Sequence, residues 1–447
     1  MIIEQFYDKG LAHASYAIVS EGKMALVDPA RDPQPYYEFA KDNNADIVAI
    51  FETHPHADFV SSHLEIARKT GASIYVSKLL GADYEHKTFD DGDELKLGKL
   101  TLRALNTPGH SPDSVTILLL DEHGKQHAAF TGDALFVGDV GRPDLRENVG
   151  NMTAKREELA KQMYQTTNNV FKKLNEDVLV YPAHGAGSLC GKNLSSDTYS
   201  TIGREKSTNY ALQDMSEADF VKTLLEDQPF IPKYFGHDVT MNKAGAAGFE
   251  ESIKAVPHLD SNSKLEEGIL IVDTRPQAKY KQGHLPNSIN IQEGGKFETW
   301  LGSIVGPNEK FYLIAENADV LNSVIRKSAK IGYEGNIKGA LLPPAVLPQT
   351  SAQTNLDDFT SNPDKYTIVD IRNTGEVKAG KIFENAITIP LPELRERKNE
   401  IPQDKPVMVH CAAGYRSAAG QSILEEVFKT KVYDLSDAIT TFAQVTH

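Results

Sequence analysis

Ile47-Val48-Ala49-Ile50-Phe51-Glu52-Thr53-His54-Pro55-His56-Ala57-Asp58-Phe59 runs five apolar residues straight into a turn that carries two histidines and an aspartate. A continuous apolar run of this length reads as a strand buried on both faces, the kind found inside a layered α/β domain. Three metal-ligating side chains, His54, His56 and Asp58, then leave the sheet edge from a single turn. Beyond it, Val60, Leu64 and Ala67 fall on one face of an expected helix that Gly71 stops. Short β-rich runs such as Tyr16-Ala17-Ile18-Val19 and Ala25-Leu26-Val27-Asp28 alternate with longer helical patterns through the first block, so an α/β fold is expected.

Three later segments end in the same way. Thr107-Pro108-Gly109-His110, Phe130-Thr131-Gly132-Asp133 and Tyr181-Pro182-Ala183-His184-Gly185 each read as a strand end that terminates in a possible ligand. A single surface histidine would mean little, whereas four strand ends converging point to a metal centre.

A second chemistry stands near the other end of the chain. Val407-Met408-Val409-His410-Cys411-Ala412-Ala413-Gly414-Tyr415-Arg416-Ser417 is a short apolar strand leading into Cys-x4-Arg, and Cys411 is one of only two cysteines. With Gly414 allowing a tight reversal, successive backbone N–H groups would curl around a thiolate. Those amides, the Arg416 guanidinium and a following helix N-terminus are expected to lower the thiol's pKa and hold a sulfur anion, with Gly414 and Tyr415 lining the cradle. Upstream, Tyr366-Thr367-Ile368-Val369-Asp370-Ile371-Arg372 is a strand ending in Asp-x-Arg. An earlier block repeats the pattern with Ile269-Leu270-Ile271-Val272-Asp273-Thr274-Arg275, and a Pro-rich linker, Leu341 to Pro348, separates the two. Where the third block has its cysteine loop, the second has Phe311-Tyr312-Leu313-Ile314-Ala315-Glu316-Asn317 and no cysteine. Without a sulfur nucleophile this middle block is read as a scaffold, or as a surface for the non-reacting portion of a substrate.

Length and composition bound the rest. A chain of 447 residues predicts two to four domains. The net charge of -15 disfavours nucleic acid and anionic membrane as partners. Two cysteines cannot build a disulfide framework, the N-terminus has no basic, apolar leader pattern, and no stretch reaches a membrane span, so a cytoplasmic protein is expected.

The combination of His-x-His-x-Asp, Pro-Gly-His and Thr-Gly-Asp resembles the metallo-β-lactamase superfamily. Binuclear hydrolases of that superfamily, such as glyoxalase II, carry a histidine directly after the first-motif aspartate, and here that position is Phe59. Phenylalanine cannot ligate a metal, so one metal per chain is expected. The mononuclear branch that the chain resembles, the persulfide dioxygenases, uses Fe(II); by position the resemblance implies His54, His110 and Asp133 as its ligands. Two imidazoles and one carboxylate leave open positions for a persulfide sulfur and O2. His56, Asp58 and His184 would orient those ligands or bind water, or are remnants of an ancestral second site. Gly138-Asp139-Val140-Gly141-Arg142-Pro143-Asp144 matches the family's Gly-Arg-x-Asp turn, so Arg142 would meet an anionic sulfur species or a substrate carboxylate, or else pair with Asp144. Family members acting on glutathione persulfide have a tyrosine soon after the last histidine motif, and this chain has Gly185-Ala186-Gly187-Ser188-Leu189-Cys190-Gly191. The thiol could then be glutathione, coenzyme A or bacillithiol. Cys190, six residues after His184, would take sulfur from substrate or pack as a small hydrophobe.

The Cys411 loop resembles that of the rhodaneses, one residue shorter than the related Cys-x5-Arg loop of phosphatases, which favours sulfur transfer over dephosphorylation. The middle block's Tyr280-Lys281-Gln282-Gly283-His284-Leu285-Pro286 resembles the early rhodanese signature. The expected architecture is an N-terminal metallo-β-lactamase αββα sandwich (1–245) followed by two rhodanese-like α/β domains, one inactive (255–345) and one catalytic (353–447). The resemblance to a persulfide dioxygenase–rhodanese fusion implies oxidation of a small thiol persulfide by O2 to sulfite. Cys411 and Arg416 would then convert sulfite and a second persulfide to thiosulfate, in sulfide and persulfide detoxification. The competing readings are a glyoxalase II-like thioester hydrolase and a non-oxygenase sulfur carrier. A homo-oligomer is expected for an acidic multidomain enzyme of this kind.

Overall fold

The computed structural model describes residues 1–146 and 155–443; the last four residues of the third block, 444–447, lie outside the described residues. The chain divides into two compact units, 1–251 with 329–332 and 252–328 with 333–447. No helix among the described residues is long and apolar enough to cross a membrane.

The first unit contains two six-stranded sheets. One runs in the order β1 (Ile2–Asp8), β2 (His13–Ser20), β3 (Lys23–Val27), β4 (Asp46–Phe51), β5 (Ser73–Val76) and β6 (Lys87–Thr88). The other comprises β7 (Glu94–Leu97), β8 (Leu100–Asn106), β9 (Val115–Leu120), β10 (Gln126–Gly132), β11 (Leu179–Pro182) and β12 (Ser200–Thr201), again in sequential order. Period-two alternation distributes the apolar residues between layers. Tyr16, Ile18, Val27 and Phe51 meet Leu102, Ile117, Leu119 and Phe130 between the sheets. Ala17, Leu26, Ile47 and Ile50 face outward, where Tyr36, Ala40 and Ile66 from the helices Gln34–Asp42 and His63–Thr70 cover them. The far face of the second sheet is closed by Ala160 and Met163 of the helix Arg156–Asn169 and by Phe220 and Leu224 of the helix Glu217–Leu225. The result is the expected αββα sandwich. Each fully buried ring, such as Phe51, contributes roughly 2–3 kcal/mol of apolar burial.

Two local expectations are corrected. Val48 is exposed, because a register shift between β3 and β4 falls at that residue and turns it out of the core. The helix after the His-x-His turn begins at His63, so Val60 precedes it. Competing bonds hold residues 60–62 in a loop: Asn242 Oδ1 accepts from Ser61 N–H (2.8 Å), and the Ser61 hydroxyl donates to Glu52 (2.6 Å). Gly71 ends the helix as expected, its N–H bonded to the Ala67 carbonyl at 2.8 Å.

The second unit contains two four-stranded parallel sheets of identical topology. One is ordered β14 (Ser288–Asn290), β13 (Leu270–Asp273), β15 (Phe311–Ile314), β16 (Ile337–Leu341); the other is ordered β18 (Ile387–Thr388), β17 (Thr367–Asp370), β19 (Val407–His410), β20 (Val432–Asp434). The repeat extends to side chains. Arg275 Nη2 reaches Asp273 at 2.6 Å and the Gly283 carbonyl at 2.8 Å; Arg372 Nη2 reaches Asp370 at 2.7 Å and the Gly380 carbonyl at 3.0 Å. The copies part at the next strand end. Cys411 follows β19 where Ala315 follows β15, and Glu316 beside it pairs with Lys279. The middle copy therefore carries an alanine and a lysine-paired carboxylate at this strand end, where the other copy carries a cysteine.

Glu425, which ends the helix Tyr415–Glu425, lies between the two copies. It accepts from the Ser351 hydroxyl (2.9 Å) and lies 3.6 Å from His284 Nε2. Burial raises its pKa to about 7; Ser351 and Lys281 oppose the shift, and Glu426 and Asp434 add to it. The folded state therefore holds the proton more tightly than the unfolded chain. Stability on this account is full below the ordinary carboxylate pKa and falls as pH rises to about 7. Glu425→Gln is expected to remove that loss, on the order of 2–3 kcal/mol. Urea midpoints at pH 5 and pH 8 should move less in the variant than in the wild type; an equal shift in both would refute the assignment.

Candidate metal centre and thiol loop

The metal-centre residues all follow strand ends: His54 and His56 after β4, His110 after β8, Asp133 after β10 and His184 after β11. Local chemistry fixes each ring. Asp28, held at φ 51°, directly follows β3 and accepts from Thr53 N–H (2.7 Å) and the Thr53 hydroxyl (2.8 Å). With that hydroxyl's proton committed, Thr53 Oγ1 accepts from His54 Nδ1 at 3.0 Å. His110 Nδ1 donates to the Arg142 carbonyl (2.9 Å) and His184 Nδ1 to the Ala12 carbonyl (3.2 Å). In all three imidazoles Nδ1 is thereby occupied and Nε2 is the nitrogen turned to the cluster.

The three Nε2 atoms converge on one carboxylate. His54 Nε2 and His110 Nε2 lie 3.7 and 3.5 Å from Asp133 Oδ2, and His184 Nε2 lies 3.4 Å from Oδ1. Both Asp133 oxygens are buried without a hydrogen-bond partner, which is costly unless a cation satisfies them. His54, His110 and Asp133 form a buried triad whose ligand atoms lie within 4.8 Å of one another, a donor set that fits an iron of two-histidine, one-carboxylate type. The cluster is larger than this triad: His56, Asp133 and His184 form another group, as do Asp58, His184 and Cys190.

Phe59 is fully buried, with its ring 4.5 Å from that of His56 and 3.8 Å from that of His13. His56 Nε2 lies 3.1 Å from Asp28; burial opposes its charge, but Asp28 overcomes this and raises its pKa. Asp58 lies 3.4 Å from His184. Cys190 is buried beside them, its thiol pushed up by burial and then by Asp58 and Asp133. Arg142, 1% exposed, is held by Asp144 through two bonds of 2.7 Å and donates to the Leu189 carbonyl, the pairing its spacing left open.

Gly141 makes the ligand shell tight. Its N–H donates to the Asp133 carbonyl at 3.0 Å, and a Cβ there would collide with that oxygen and meet His110 Nδ1 at 2.8 Å. Gly141→Ala is expected to weaken metal binding by about 10–100-fold, the usual cost of disturbing groups that orient ligands. A competition titration against a chelator measures it; unchanged affinity would show that the shell has slack.

The thiol loop is built from β19 and the helix Tyr415–Glu425. Cys411, 1% exposed, accepts at Sγ from Gly414 N–H (3.1 Å), with the Ser417 hydroxyl at 3.7 Å. Gly414 has φ 92°, and a Cβ there would lie 2.6 Å from the backbone of Ser436, so the reversal requires glycine. Arg416 lies beside Cys411, with which it interacts, and is gripped from outside the loop by Glu376, which accepts from Nη1 and Nη2 at 2.6 and 2.7 Å. Burial opposes the charge on Glu376, but Arg416 more than offsets it and lowers the pKa. Asp28, His13 and Glu376 were missed in the sequence. Asp28 closes a strand run and Glu376 lies six residues beyond Asp370, signals that become legible only once their partners are known.

A family model of the metallo-beta-lactamase superfamily matches residues 8–184, and one of the rhodanese-like domain matches 259–338 and again 353–444. The chain is similar to mitochondrial persulfide dioxygenase ETHE1 of Homo sapiens, 30% identical over 204 residues that cover 45% of this chain and 71% of that protein. It is also similar to the cytoplasmic hydroxyacylglutathione hydrolase of Arabidopsis thaliana, 30% identical over 174 residues, 38% of this chain and 62% of that one. Among solved structures, a metallo-beta-lactamase from Staphylococcus aureus subsp. aureus COL matches with a TM-score of 0.70 and 34% identity, covering 76% of this chain and 99% of its own. Sheet order, donor set and tandem repeat agree with these matches: the chain belongs to the persulfide dioxygenases of the metallo-beta-lactamase superfamily, with rhodanese-like domains fused behind the metal-binding one.

Proposed function

We propose that the protein is an Fe(II) persulfide dioxygenase and thiosulfate-forming sulfurtransferase, with oxidation carried by residues 1–245 and sulfur transfer by 353–447, and with 255–345 as an inactive partner. The observation that carries the reading is the convergence of three imidazole Nε2 atoms on a carboxylate that has no hydrogen-bond partner. One iron per chain would be held by His54, His110 and Asp133, because Phe59 fills the position from which a further ligand would come. Iron supplies redox chemistry with O2, which a zinc hydrolase site cannot. The balanced change is R–S–SH, O2 and water to R–SH, sulfite and two protons.

The chain's own residues hold and orient. Thr53, Asp28 and the Arg142 carbonyl orient the ligand rings, and His56 and Asp58 hold water or a proton beside the site. Arg142 is assigned to the anionic end of the persulfide, with Asp144 as the carboxylate that end would replace. Cys190 is assigned as a sulfur acceptor that needs a base, His184 being the neighbour that lowers its pKa. At the second centre, the Cys411 thiolate attacks the outer sulfur of a second persulfide and releases R–S⁻. Sulfite then attacks the sulfur on Cys411, forming thiosulfate and returning the electron pair to Sγ, where Gly414 N–H receives it. Fusion raises the sulfite concentration at Cys411.

The test is O2 uptake by anaerobically Fe(II)-loaded protein given glutathione, coenzyme A and bacillithiol persulfides in turn, with iron, sulfite and thiosulfate all quantified. Uptake with thiosulfate as main product supports the reading and ranks the thiols. No uptake with any of them at one bound iron would sink it and send the assignment to thioester hydrolysis.

A further inference from the structure

The middle repeat has no nucleophile, yet it touches the nucleophile loop of its sister. Trp300, on the helix Phe297–Ile304, lies with its ring centroid 5.7 Å from the Arg416 guanidinium carbon, within the range of cation–π attraction. The residue before Arg416 is tied down as well: the Tyr415 hydroxyl donates to the Gln292 carbonyl, and Gln292 Nε2 donates to the Tyr415 carbonyl at 3.4 Å. Further along the same helix, Ser422 Oγ accepts from Asn290 N–H of β14 at 3.0 Å.

We propose that Trp300 is a positioning residue of the sulfur-transfer centre, supplied by the inactive repeat, and that with Glu376 it fixes Arg416 against Cys411. The inference rests on the sulfur-transfer reading of Cys411. Glu376 grips both terminal nitrogens of Arg416 along one edge, which still allows the guanidinium plane to swing about that edge. An aromatic face beside the plane removes that freedom. When sulfite attacks the sulfur carried on Cys411, the bond between the two sulfurs breaks and its electron pair returns to Sγ. The dianion approaching and the thiolate leaving are both served by a cation that does not have to reorient. The loss of cysteine from the middle repeat then left a domain whose remaining task is to hold its sister's cradle.

Trp300 is the only tryptophan in the chain, so the intact protein reports on this contact without modification. Inorganic thiosulfate added to the full-length protein should load sulfur on Cys411, release sulfite, and change tryptophan emission; Cys411→Ser should show neither. Loading seen by mass with no change in emission would overturn the proposal. In steady-state transfer, Trp300→Leu should raise the KM for sulfite or lower kcat by about tenfold, and Trp300→Phe, which keeps a π face, should recover most of the loss. A Leu variant equal to wild type, or a Phe variant no better than Leu, would overturn it. No sulfur on Cys411 in the wild type would instead remove the transfer reading itself.

Discussion

Asp133→Ala will lose iron and persulfide-dependent O2 uptake together while leaving sulfur transfer at Cys411 intact. Among the described residues the carboxylate is the one acid that His54, His110 and His184 all face, and neither of its oxygens has a hydrogen-bond partner. Without it two imidazoles remain, and the fall in metal affinity should exceed the roughly 10–100-fold that follows from disturbing a supporting group. Asp133→Asn should fail almost as badly, since an amide keeps the shape and loses the charge. Stability separates this outcome from misfolding. In metal-free protein the Asp133 oxygens face three imidazoles but accept no hydrogen bond, so the alanine variant should melt close to the metal-free wild type. Adding Fe(II) anaerobically should raise the wild-type melting temperature alone, because a ligand that binds only the folded state stabilises it by mass action. Normal iron content in Asp133→Ala would show that the metal sits in a group without Asp133, either Asp58, His184 and Cys190 or Asp28, Glu52 and His56.

What was legible in the sequence follows from where the information sits. His110, Asp133 and His184 follow β8, β10 and β11, which run the same way in one sheet and so end at one edge, and His54 follows β4 of the facing sheet, so strand-end patterns pointed to all four. The Cys411 cradle is legible for a similar reason: strand, cysteine, glycine and arginine lie within a few residues. Asp28 is different. Its role depends on β3 lying beside β4 in a register that carries its carboxylate to Thr53 and His56, and nothing in the segment Ala25 to Asp28 states that register. His13 belongs to the same class, coming to Phe59 from β2. Trp300 is less legible still, since its partner is more than a hundred residues away in the other copy of the repeat. The helix start missed at Val60 has the opposite cause. The apolar spacing was helical, but Ser61 and Asn242 made bonds that periodicity does not weigh.

Cys411→Ser will turn the enzyme into a sulfite producer. The change is close to isosteric: a serine hydroxyl can accept from Gly414 N–H as the sulfur does, and the glycine reversal and the Arg416–Glu376 pair do not depend on the sulfur atom. The fold and the iron centre should therefore be unaffected, and O2 uptake should continue at the wild-type rate. What is lost is a polarisable thiolate able to take a sulfur atom and give it up again, because a serine hydroxyl is a far weaker nucleophile. Enzymatic thiosulfate should fall by at least about 100-fold, the scale expected when a covalent nucleophile is removed. Sulfite should rise until it matches the O2 consumed. A parallel incubation of sulfite with persulfide and no protein sets the uncatalysed background. Thiosulfate output equal to that of wild type would mean that sulfur reaches sulfite by another route, and Cys190 would then be the remaining thiol able to carry it. Cys190→Ser in the same background decides between that route and direct attack of sulfite on free persulfide. Only the first predicts a further loss, because a buried thiol with a raised pKa beside His184 transfers sulfur only if that histidine takes its proton.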